Sequence, residues 1–269
     1  MARTAIIGLT TVDVILLPRE QPVTRAGGAP LYGARAIAAL GETVAVATRC
    51  HDRALTGEIP AEPICLCIDD ESMISELTYD ERGDRTQRLL ALGTDWCIDD
   101  VHGFARAALE GASWVHVGGQ RAGDFPPDVL AALAAGDRCL ALDAQGPLRG
   151  AALGPLAYSG SLDANLLAHV QALKLSEEEA VAAFGTLDAT AIRAACGVDE
   201  IIVTLGIDGA RVASPEGAAT VRPAPVIEAD PTGAGDAFLA TYCASRGAGM
   251  RPHAATERAC HHVATLLRG

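Results

Sequence analysis

Short apolar runs recur along the chain and alternate with stretches whose apolar residues are spaced as in a helix. The runs TAIIGL, VDVILL, TVAVATR, WVHVGG, CLALDA, VQALKLS and IIVTLG predict β-strands, and ARVASP predicts a partner strand for the last of them. The segments PLYGARAIAALG, PPDVLAALAA and EEEAVAAFG predict helices, and others are predicted at about Asp100–Leu109 and from Ala234 and Pro252. Strands that alternate with helices predict an α/β fold, with a mainly parallel sheet and helices on both of its faces.

Residues 63–93 interrupt this alternation, because they contain strand-like segments with charged tips and little helical periodicity. The segment ELTYDERGDRTQRLLAL predicts a β-hairpin whose turn lies at Glu81–Asp84, where Gly83 permits a tight turn. The pattern leaves two interpretations open. The hairpin is either a cover over a ligand site or an additional edge of the main sheet.

The composition limits the functional classes that the chain can belong to. With 269 residues, of which 49% are hydrophobic, the chain predicts one globular domain with a sizeable core. A formal net charge of -13 argues against a nucleic acid partner, since phosphate backbones require clustered basic residues. No apolar stretch approaches the roughly 20 residues that a membrane-spanning helix needs, and the N-terminus lacks a signal pattern. The sequence therefore predicts a cytoplasmic protein without a membrane partner.

The chain contains eight cysteines, none of them in a C-x-x-C pair. In the absence of a secretion signal, this distribution predicts reduced and mostly buried thiols. The sequence CHH at Cys260–His262 lacks further ligands at the spacing of a zinc site. The cysteines therefore predict neither a disulfide framework nor a metal centre.

The sequence TGAGD at Thr232–Asp236 directly precedes an apolar run that predicts a helix. Backbone N–H groups of residues 233–235 would be unpaired at the start of this helix, and the small side chains would let a phosphate approach them. Asp236 lies in the first turn, where it is either a helix cap or a base that accepts the proton of an attacking hydroxyl. The motifs G-x-x-x-x-G-K-[ST], G-x-G-x-x-G after a strand and G-x-S-x-G are absent from the sequence.

The segment DPTGAGD resembles the signature of the ribokinase/PfkB carbohydrate kinase family. Four other segments, GLTTVDVI, GGAPLYGARAIAALG, ALKLSEEEA and IIVTLGIDGARV, resemble further motifs of the family and occur in the family's order. Together they span nearly the whole chain. The resemblance implies a single ribokinase-like domain over residues 1–269, with a Rossmann-type three-layer core. It also implies a small β lid, formed mainly by residues 63–93 with part of 17–26.

The same resemblance implies an ATP-dependent kinase that phosphorylates an alcohol group. Asp236 would be the catalytic base, and Gly233, Ala234 and Gly235 would form the anion hole for the transferred phosphoryl group. The implied cofactor-binding residues are Lys174, Ser176, Glu179, Thr204, Gly206 and Gly209. Glu179 would also help to hold Mg²⁺ through water. Whether a monovalent cation activates the enzyme stays open.

On the acceptor side, the resemblance assigns Asp13, Gly27 and Gly28 to the binding of substrate hydroxyls. Tyr32 stands where the family often has an asparagine, and it either contacts a ring-shaped substrate or packs between helix and lid. Further substrate candidates are Arg85 on the predicted lid, and Arg121 and Gln145 just past the carboxyl ends of predicted strands. For each of these three a solvated or loop-stabilising role stays open.

The sequence departs from the family pattern at Tyr32 and also at Ser176, which replaces the asparagine of the N-x-x-E motif. These departures resemble a compact branch that includes myo-inositol kinases and some archaeal nucleoside kinases. The expected substrate is therefore a small polyol, namely a cyclitol such as myo-inositol or a nucleoside, ahead of a simple pentose or hexose. A family member that binds ligands without turnover is the alternative. A homodimer stays open.

Overall fold

In the computed structural model, residues 3–82, 85–158, 160–223 and 231–268 are described. The strands are β1 (Arg3–Leu9), β2 (Thr11–Leu16), β3 (Val23–Gly27), β4 (Val44–Cys50), β5 (Ile64–Ile68), β6 (Met73–Tyr79), β7 (Arg85–Leu92), β8 (Ala112–Gly118), β9 (Cys139–Asp143), β10 (Gly154–Pro155), β11 (Val170–Ser176), β12 (Glu200–Thr204), β13 (Ala210–Ser214) and β14 (Gly217–Val221). The α-helices are α1 (Ala29–Ala39), α2 (Ile98–His102), α3 (Arg106–Leu109), α4 (Pro127–Ala134), α5 (Gln145–Leu148), α6 (Ala164–Leu167), α7 (Glu177–Phe184), α8 (Ala189–Cys196), α9 (Ala234–Gly247) and α10 (Pro252–Leu266).

A large sheet with the strand order β14-β13-β12-β11-β9-β8-β1-β4-β5 forms the centre of the molecule. The strands from β12 to β5 pair in parallel, whereas β13 and β14 add an antiparallel edge. The chain moves outward from β1 in both directions, to β4 on one side and to β8 on the other. Ligands in open α/β sheets bind at the carboxyl ends of the strands near such a point of reversal.

Helices cover both faces of the large sheet, as the sequence predicts. Neighbouring residues of one strand enter different clusters, since side chains alternate along a strand. In β11, Leu173 joins the cluster that includes Leu130 and Ile192, whereas Ala172 joins the cluster that includes Leu239. The result is a three-layer α/β core, and the predicted fold class is confirmed.

The helix α9 is fixed to the sheet at two places along its length. Near its end, Arg246 forms an ion pair with the buried Glu200 of β12 at 2.6 Å, and the Tyr242 hydroxyl donates to the same carboxylate. Nearer its start, α9 packs closely on α1, because a Cβ at Gly33 would lie 3.1 Å from the Cβ of Ala240. These contacts set the position of the helix start and of the residues on its first turn.

A small sheet with the strand order β10-β7-β6-β2-β3 lies beside the large one. It contains most of the predicted hairpin and part of the predicted segment 17–26, but its composition differs from the prediction at two points. Residues 64–68 form β5 of the large sheet, because parallel pairing with β4 satisfies their backbone. The strands β2 and β10 join the small sheet instead. The predicted turn at Gly83 and Asp84 lies outside the described residues.

The predicted helix at 100–109 is two short helices, α2 and α3. Gly103 leaves helical geometry between them, with φ -92° and ψ -112°. A Cβ there would lie 2.6 Å from the carbonyl oxygen of Asp99. Across the described ranges, no helix has both the length and the apolar content that crossing a bilayer requires.

Candidate active site

A pocket of about 420 Å³ lies where the carboxyl ends of β9, β11 and β12 meet the start of α9. We call it the α9 pocket. The residues of the sequence prediction that line it are Gln145, Lys174, Ser176, Glu179, Thr204, Gly206, Gly209, Gly233, Ala234, Gly235 and Asp236. Side chains that are as far as 91 positions apart in sequence, from Gln145 to Asp236, therefore face one space.

The glycines before α9 make room for two neighbouring groups. Gly233 has φ +78°, and a Cβ there would lie 2.2 Å from the ring of Tyr32. A Cβ at Gly235 would lie 2.9 Å from Nζ of Lys174. Glycine thus lets the Lys174 ammonium group reach the helix start, where the helix dipole already favours an anion. The sequence prediction of unpaired N–H groups at 233–235 does not hold for Ala234, whose N–H donates to the Pro231 carbonyl at 3.0 Å.

Lys174 is held by Asp143, at the end of the neighbouring strand β9. Its Nζ donates to Asp143 Oδ2 at 3.0 Å and to Oδ1 at 3.2 Å, and both side chains are buried. Burial lowers the pKa of Lys174, but the charges of Asp143, Glu179 and Asp236 outweigh it and raise the pKa above its ordinary value. The Lys174 ammonium group, which lines the α9 pocket, therefore stays charged.

Asp236 faces the same pocket from the first turn of α9. Burial, reinforced by the charge of Asp143, raises the pKa of Asp236 to about 7, against the opposing charges of Lys174 and Arg149. The charge of Asp13 acts in the same direction as that of Asp143. A carboxylate with a pKa near neutrality can accept a proton and release it again, as a general base must.

Ser176 and Glu179 form a capping box at the start of α7. The Ser176 N–H donates to Glu179 Oε2 at 2.7 Å, and the Glu179 N–H donates to Ser176 Oγ at 3.3 Å. Burial raises the pKa of Glu179, while Lys174 opposes the shift. Ser176 can therefore replace an asparagine here without loss of the helix cap.

The end of the pocket beyond Thr204 and Gly209 is more apolar than the end beside Lys174 and Asp236. The Thr204 hydroxyl donates to the carbonyl of Leu175 at 3.1 Å, and Gly209, with φ +98°, lies so close to Val221 that a Cβ would be 2.0 Å from its carbonyl oxygen. Beyond them the lining is largely apolar, comprising Ile207, Pro223, Cys260, Val263, Ala264 and Leu267. One end of the α9 pocket thus suits phosphates and the other suits a flat apolar group.

Asp13, Gly27 and Gly28 form a second group, which we call the Asp13 cluster. The Thr11 hydroxyl donates to Asp13 Oδ1 at 3.2 Å, and a Cβ at Gly27 would lie 2.2 Å from Asp13 Oδ2. Gly28 has φ +92° and precedes α1. Tyr32 follows in the first turn of α1, and its contact with Gly233 joins this cluster to the start of α9.

The remaining predicted substrate residues lie in different places. Gln145 lines the α9 pocket, and its Nε2 donates to Gln120 Oε1 at 3.0 Å. Arg121 lies outside that pocket, where it forms an ion pair with Asp95 at 2.5 Å and donates to the Leu92 carbonyl at 3.2 Å. This placement agrees with the loop-stabilising role that the sequence left open. The side chain of Arg85 lies outside the described residues.

Among the pocket residues that the sequence reasoning missed are three with polar side chains, Asp143, Arg149 and Tyr158. Asp143 closes the strand CLALD, and a polar residue at the carboxyl end of a buried parallel strand was the signal available. Arg149 and Tyr158 carried no such signal, because they lie on irregular chain after β9. In the described residues, no group of three or more His, Cys, Asp or Glu side chains is arranged to hold a metal ion.

Comparisons with known proteins agree with the family that the sequence motifs resemble. Residues 106–267 match the family described as pfkB family carbohydrate kinase. Inositol 3-kinase of Zea mays is 37% identical over 127 residues, which are 46% of this chain and 32% of that protein. The same enzyme of Oryza sativa subsp. japonica is 37% identical over 129 residues, 45% of this chain and 31% of that protein. The match thus spans about a third of the length of these curated relatives.

Solved structures share the fold over almost the whole chain. A pyrophosphate-dependent kinase of the ribokinase family, complexed with a pyrophosphate analog and myo-inositol, superposes with a TM-score of 0.82 at 21% identity. That alignment covers 98% of this chain and 95% of the other. Arabidopsis thaliana ribokinase, complexed with ribose and ATP, gives a TM-score of 0.76 at 16% identity and covers 100% and 93% of the two chains.

Proposed function

The chain belongs to the pfkB family of carbohydrate kinases, and we propose that it transfers the terminal phosphoryl group of ATP to a hydroxyl of a cyclitol such as myo-inositol. As a carbohydrate kinase it is a phosphotransferase that acts on an alcohol. The single observation that supports the finer statement most strongly is the meeting of Asp236, the two glycines Gly233 and Gly235, and Lys174 in one pocket.

In the proposed reaction, Asp236 takes the proton of the acceptor hydroxyl while the hydroxyl oxygen attacks the terminal phosphorus of the donor. The bond from that phosphorus to the bridging oxygen breaks, and ADP leaves with the electron pair. Lys174 and the N–H groups of Gly233 and Gly235 neutralise the charge on the transferred group. The protein supplies alignment, charge and one proton acceptor.

Support for ATP as donor comes from the two ends of the α9 pocket. The glycines and Lys174 suit the phosphates, and the apolar lining around Val263 and Leu267 suits an adenine ring. The buried carboxylate of Glu179 fits Mg²⁺, which prefers oxygen ligands and keeps several waters. Glu179 would hold the ion through water, and the ion would neutralise charge on the donor phosphates.

Support for a cyclitol acceptor comes from the Asp13 cluster and from the relatives. The Asp13 carboxylate can accept hydrogen bonds from substrate hydroxyls, and Tyr32 lies between it and the start of α9. The two plant relatives are inositol 3-kinases, and the first similar structure contains myo-inositol. A nucleoside is the second acceptor to test. We further propose that the small sheet is a lid, which closes over the acceptor and excludes water.

The first experiment measures ADP release from Mg·ATP with myo-inositol, adenosine, cytidine, ribose and fructose as acceptors. The Asp236→Asn variant is measured in parallel. The Asp128→Asn variant is a matched control, because Asp128 also lies in the first turn of a helix but outside the α9 pocket. A further series replaces ATP with pyrophosphate and measures phosphate release, because similar structures are pyrophosphate-dependent kinases.

Turnover with myo-inositol that Asp128→Asn retains and Asp236→Asn loses would support the proposal in full. Turnover with pyrophosphate alone would overturn ATP as the donor and leave the base assignment intact. If ATP binds but no acceptor in the panel releases ADP, the chain is a ligand-binding family member or acts outside this substrate class, and the proposed acceptor is wrong.

A further inference from the structure

Arg149 is a buried cation of the α9 pocket for which the proposed reaction has so far named no role. It follows α5 directly, and its N–H donates to the carbonyls of Gln145 at 3.1 Å and Gly146 at 3.2 Å. Its own carbonyl accepts from the Ala122 N–H at 3.0 Å. The backbone of Arg149 is therefore fixed on both sides, while its side chain lines the pocket.

The surroundings of α5 are tightly packed, which limits how far Arg149 can shift. A Cβ at Gly146 would lie 2.8 Å from the carbonyl carbon of Gly119. A Cβ at Gly160 would lie 1.9 Å from the carbonyl oxygen of Pro147. Glycine at both positions thus lets the helix rest directly on neighbouring backbone. The backbone from which the Arg149 side chain extends is therefore held in a fixed place beside the pocket.

The charge around Arg149 indicates what it would bind. The described residues that line the α9 pocket include five carboxylates and two cations, Lys174 and Arg149. Lys174 already forms a buried ion pair with Asp143. A donor with several negative charges would therefore enter an acidic pocket in which Arg149 supplies a second buried cation beside Lys174.

The position of Arg149 relative to the other catalytic candidates is also known. Arg149 lines the same pocket as Asp236 and Glu179, and its positive charge opposes the raised pKa of both carboxyl groups. Only 6% of Arg149 is exposed. A guanidinium group in such a place presents several N–H donors to phosphate oxygens in a planar array.

We propose that Arg149 binds the phosphoryl group that is being transferred, and that it is a catalytic residue of this enzyme. The inference rests on the proposed function. It assigns to Arg149, together with Lys174, the neutralisation of charge that develops on the equatorial oxygens of the phosphoryl group.

Binding of two nucleotides tests the inference without turnover. Calorimetric titration of Mg·ADP and of the non-hydrolysable Mg·AMP-PNP compares ligands that lack and contain the third phosphoryl group. We expect Arg149→Met to weaken Mg·AMP-PNP binding by about 10- to 100-fold, the usual range for hydrogen bonds to charged groups. Binding of Mg·ADP should change by less than about threefold, because the contact is to the third group alone.

Two further variants make the result specific. Arg138→Met removes a guanidinium group that donates to the Leu133 and Ala132 carbonyls outside the α9 pocket, so it should leave both affinities unchanged. Arg149→Lys retains the charge but loses the planar array, and should restore part of the lost Mg·AMP-PNP affinity. In turnover, Arg149→Met should lower kcat by roughly 1,000-fold, on the scale of other phosphoryl-binding arginines.

The outcomes separate the inference from the proposed function. Equal affinity of wild type and Arg149→Met for Mg·AMP-PNP would overturn the inference alone. An equal loss for Mg·ADP and Mg·AMP-PNP would also overturn it, because that result indicates a structural role. A wild type that binds neither nucleotide would overturn ATP as donor and the inference with it. If Arg149→Met does not fold, the ratio of the two affinities in Arg149→Lys decides between the same outcomes.

Discussion

The two sheets of the molecule differ in how their strands are covered. Every residue of β4 in the large sheet is buried, whereas buried and half-buried residues alternate along β6 of the small sheet. The large sheet is parallel at its centre and covered by helices on both faces, and the small sheet shows the alternation of a sheet with one exposed face. An exposed ion pair between Arg19 and Glu81, at 2.7 Å, belongs to the small-sheet region and contributes little to stability.

The same difference in burial distinguishes the Lys174 and Asp143 part of the candidate site from the Asp13 cluster. Lys174 and Asp143 sit at the ends of buried parallel strands, so their geometry is fixed by the core. The Asp13 cluster instead belongs to β2 and β3, which pair within the small sheet. The comparison suggests a rigid side for the donor and a more adjustable side for the acceptor, with Asp236 and Tyr32 where the two meet. The predictions below test that division, from the largest effect to the smallest.

Removal of the base at the junction should have the largest effect. We expect Asp236→Asn to lower kcat by about 100-fold or more, because an amide cannot accept the proton of the acceptor hydroxyl. Nucleotide affinity should be retained. Steady-state kinetics and calorimetric titration of Mg·ADP measure the two quantities, and a variant with near-normal turnover would show that Asp236 is not the base.

The raised pKa of Asp236 also predicts two pH dependences. Because a base must be deprotonated, kcat/KM of the wild type should rise with pH and level off above about 7. The folded state binds a proton more tightly than the unfolded state between the ordinary pKa of 3.8 and about 7, so stability should fall as pH rises through this window. Thermal unfolding should show a shallower fall for Asp236→Asn than for the wild type, because the raised pKa of Asp124 contributes a fall of its own up to about pH 6. Identical slopes would contradict the raised pKa of Asp236.

On the large-sheet side, Lys174→Met should impair both donor binding and stability. Loss of the ammonium group leaves the buried Asp143 carboxylate unpaired, at a cost of about 3–5 kcal/mol in the free energy of unfolding. The double variant Lys174→Met with Asp143→Asn should recover most of this stability but not the affinity for Mg·ATP. Recovery of both would show that Lys174 has no role beyond the ion pair.

On the small-sheet side, Asp13→Asn should weaken binding of the acceptor and leave binding of the donor unchanged. The Asp13 carboxylate would accept hydrogen bonds from substrate hydroxyls. Loss of its charge should therefore raise the KM for myo-inositol by about 10- to 100-fold. The pH at which kcat/KM reaches half its maximum should move down, because the charge of Asp13 helps to raise the pKa of Asp236. Exposed Asp70→Asn is the control. An equal increase in the KM for Mg·ATP would contradict the division into two sides.

The smallest effect is expected from the loop that joins the two sheets. Between Arg149 and Tyr158 the chain runs out to β10, which pairs with β7. Gly154 has φ +112° with open space around it, so Gly154→Ala strains the loop without a steric clash. We expect a several-fold higher KM for myo-inositol and unchanged Mg·ADP affinity. Gly217→Ala, with φ +127° at the first position of β14 in the large sheet, is the matched control and should alter neither.

Features encoded by neighbouring residues could be predicted from the sequence. The starts of α9 and α10 at Ala234 and Pro252, and the strand VQALKLS followed by a helix, agree with the structure because glycine, proline and the capping box act over a few residues. Where the outcome depended on distant partners, prediction was poorer. Residues 64–68 pair with β4 and not with the predicted lid, and Arg121 is held by Asp95, 26 positions earlier.

The sequence by itself determined the alternation of strands and helices, the family and the glycine-rich start of α9. Each of these is encoded by local residue patterns or by the order of motifs along the chain. Only the tertiary structure brought Asp143 and Arg149 to Asp236, fixed α9 through Glu200 and divided the strands between two sheets. The physical reason is that periodicity states which face of an element is buried, whereas pairing between distant strands decides which side chains share a pocket.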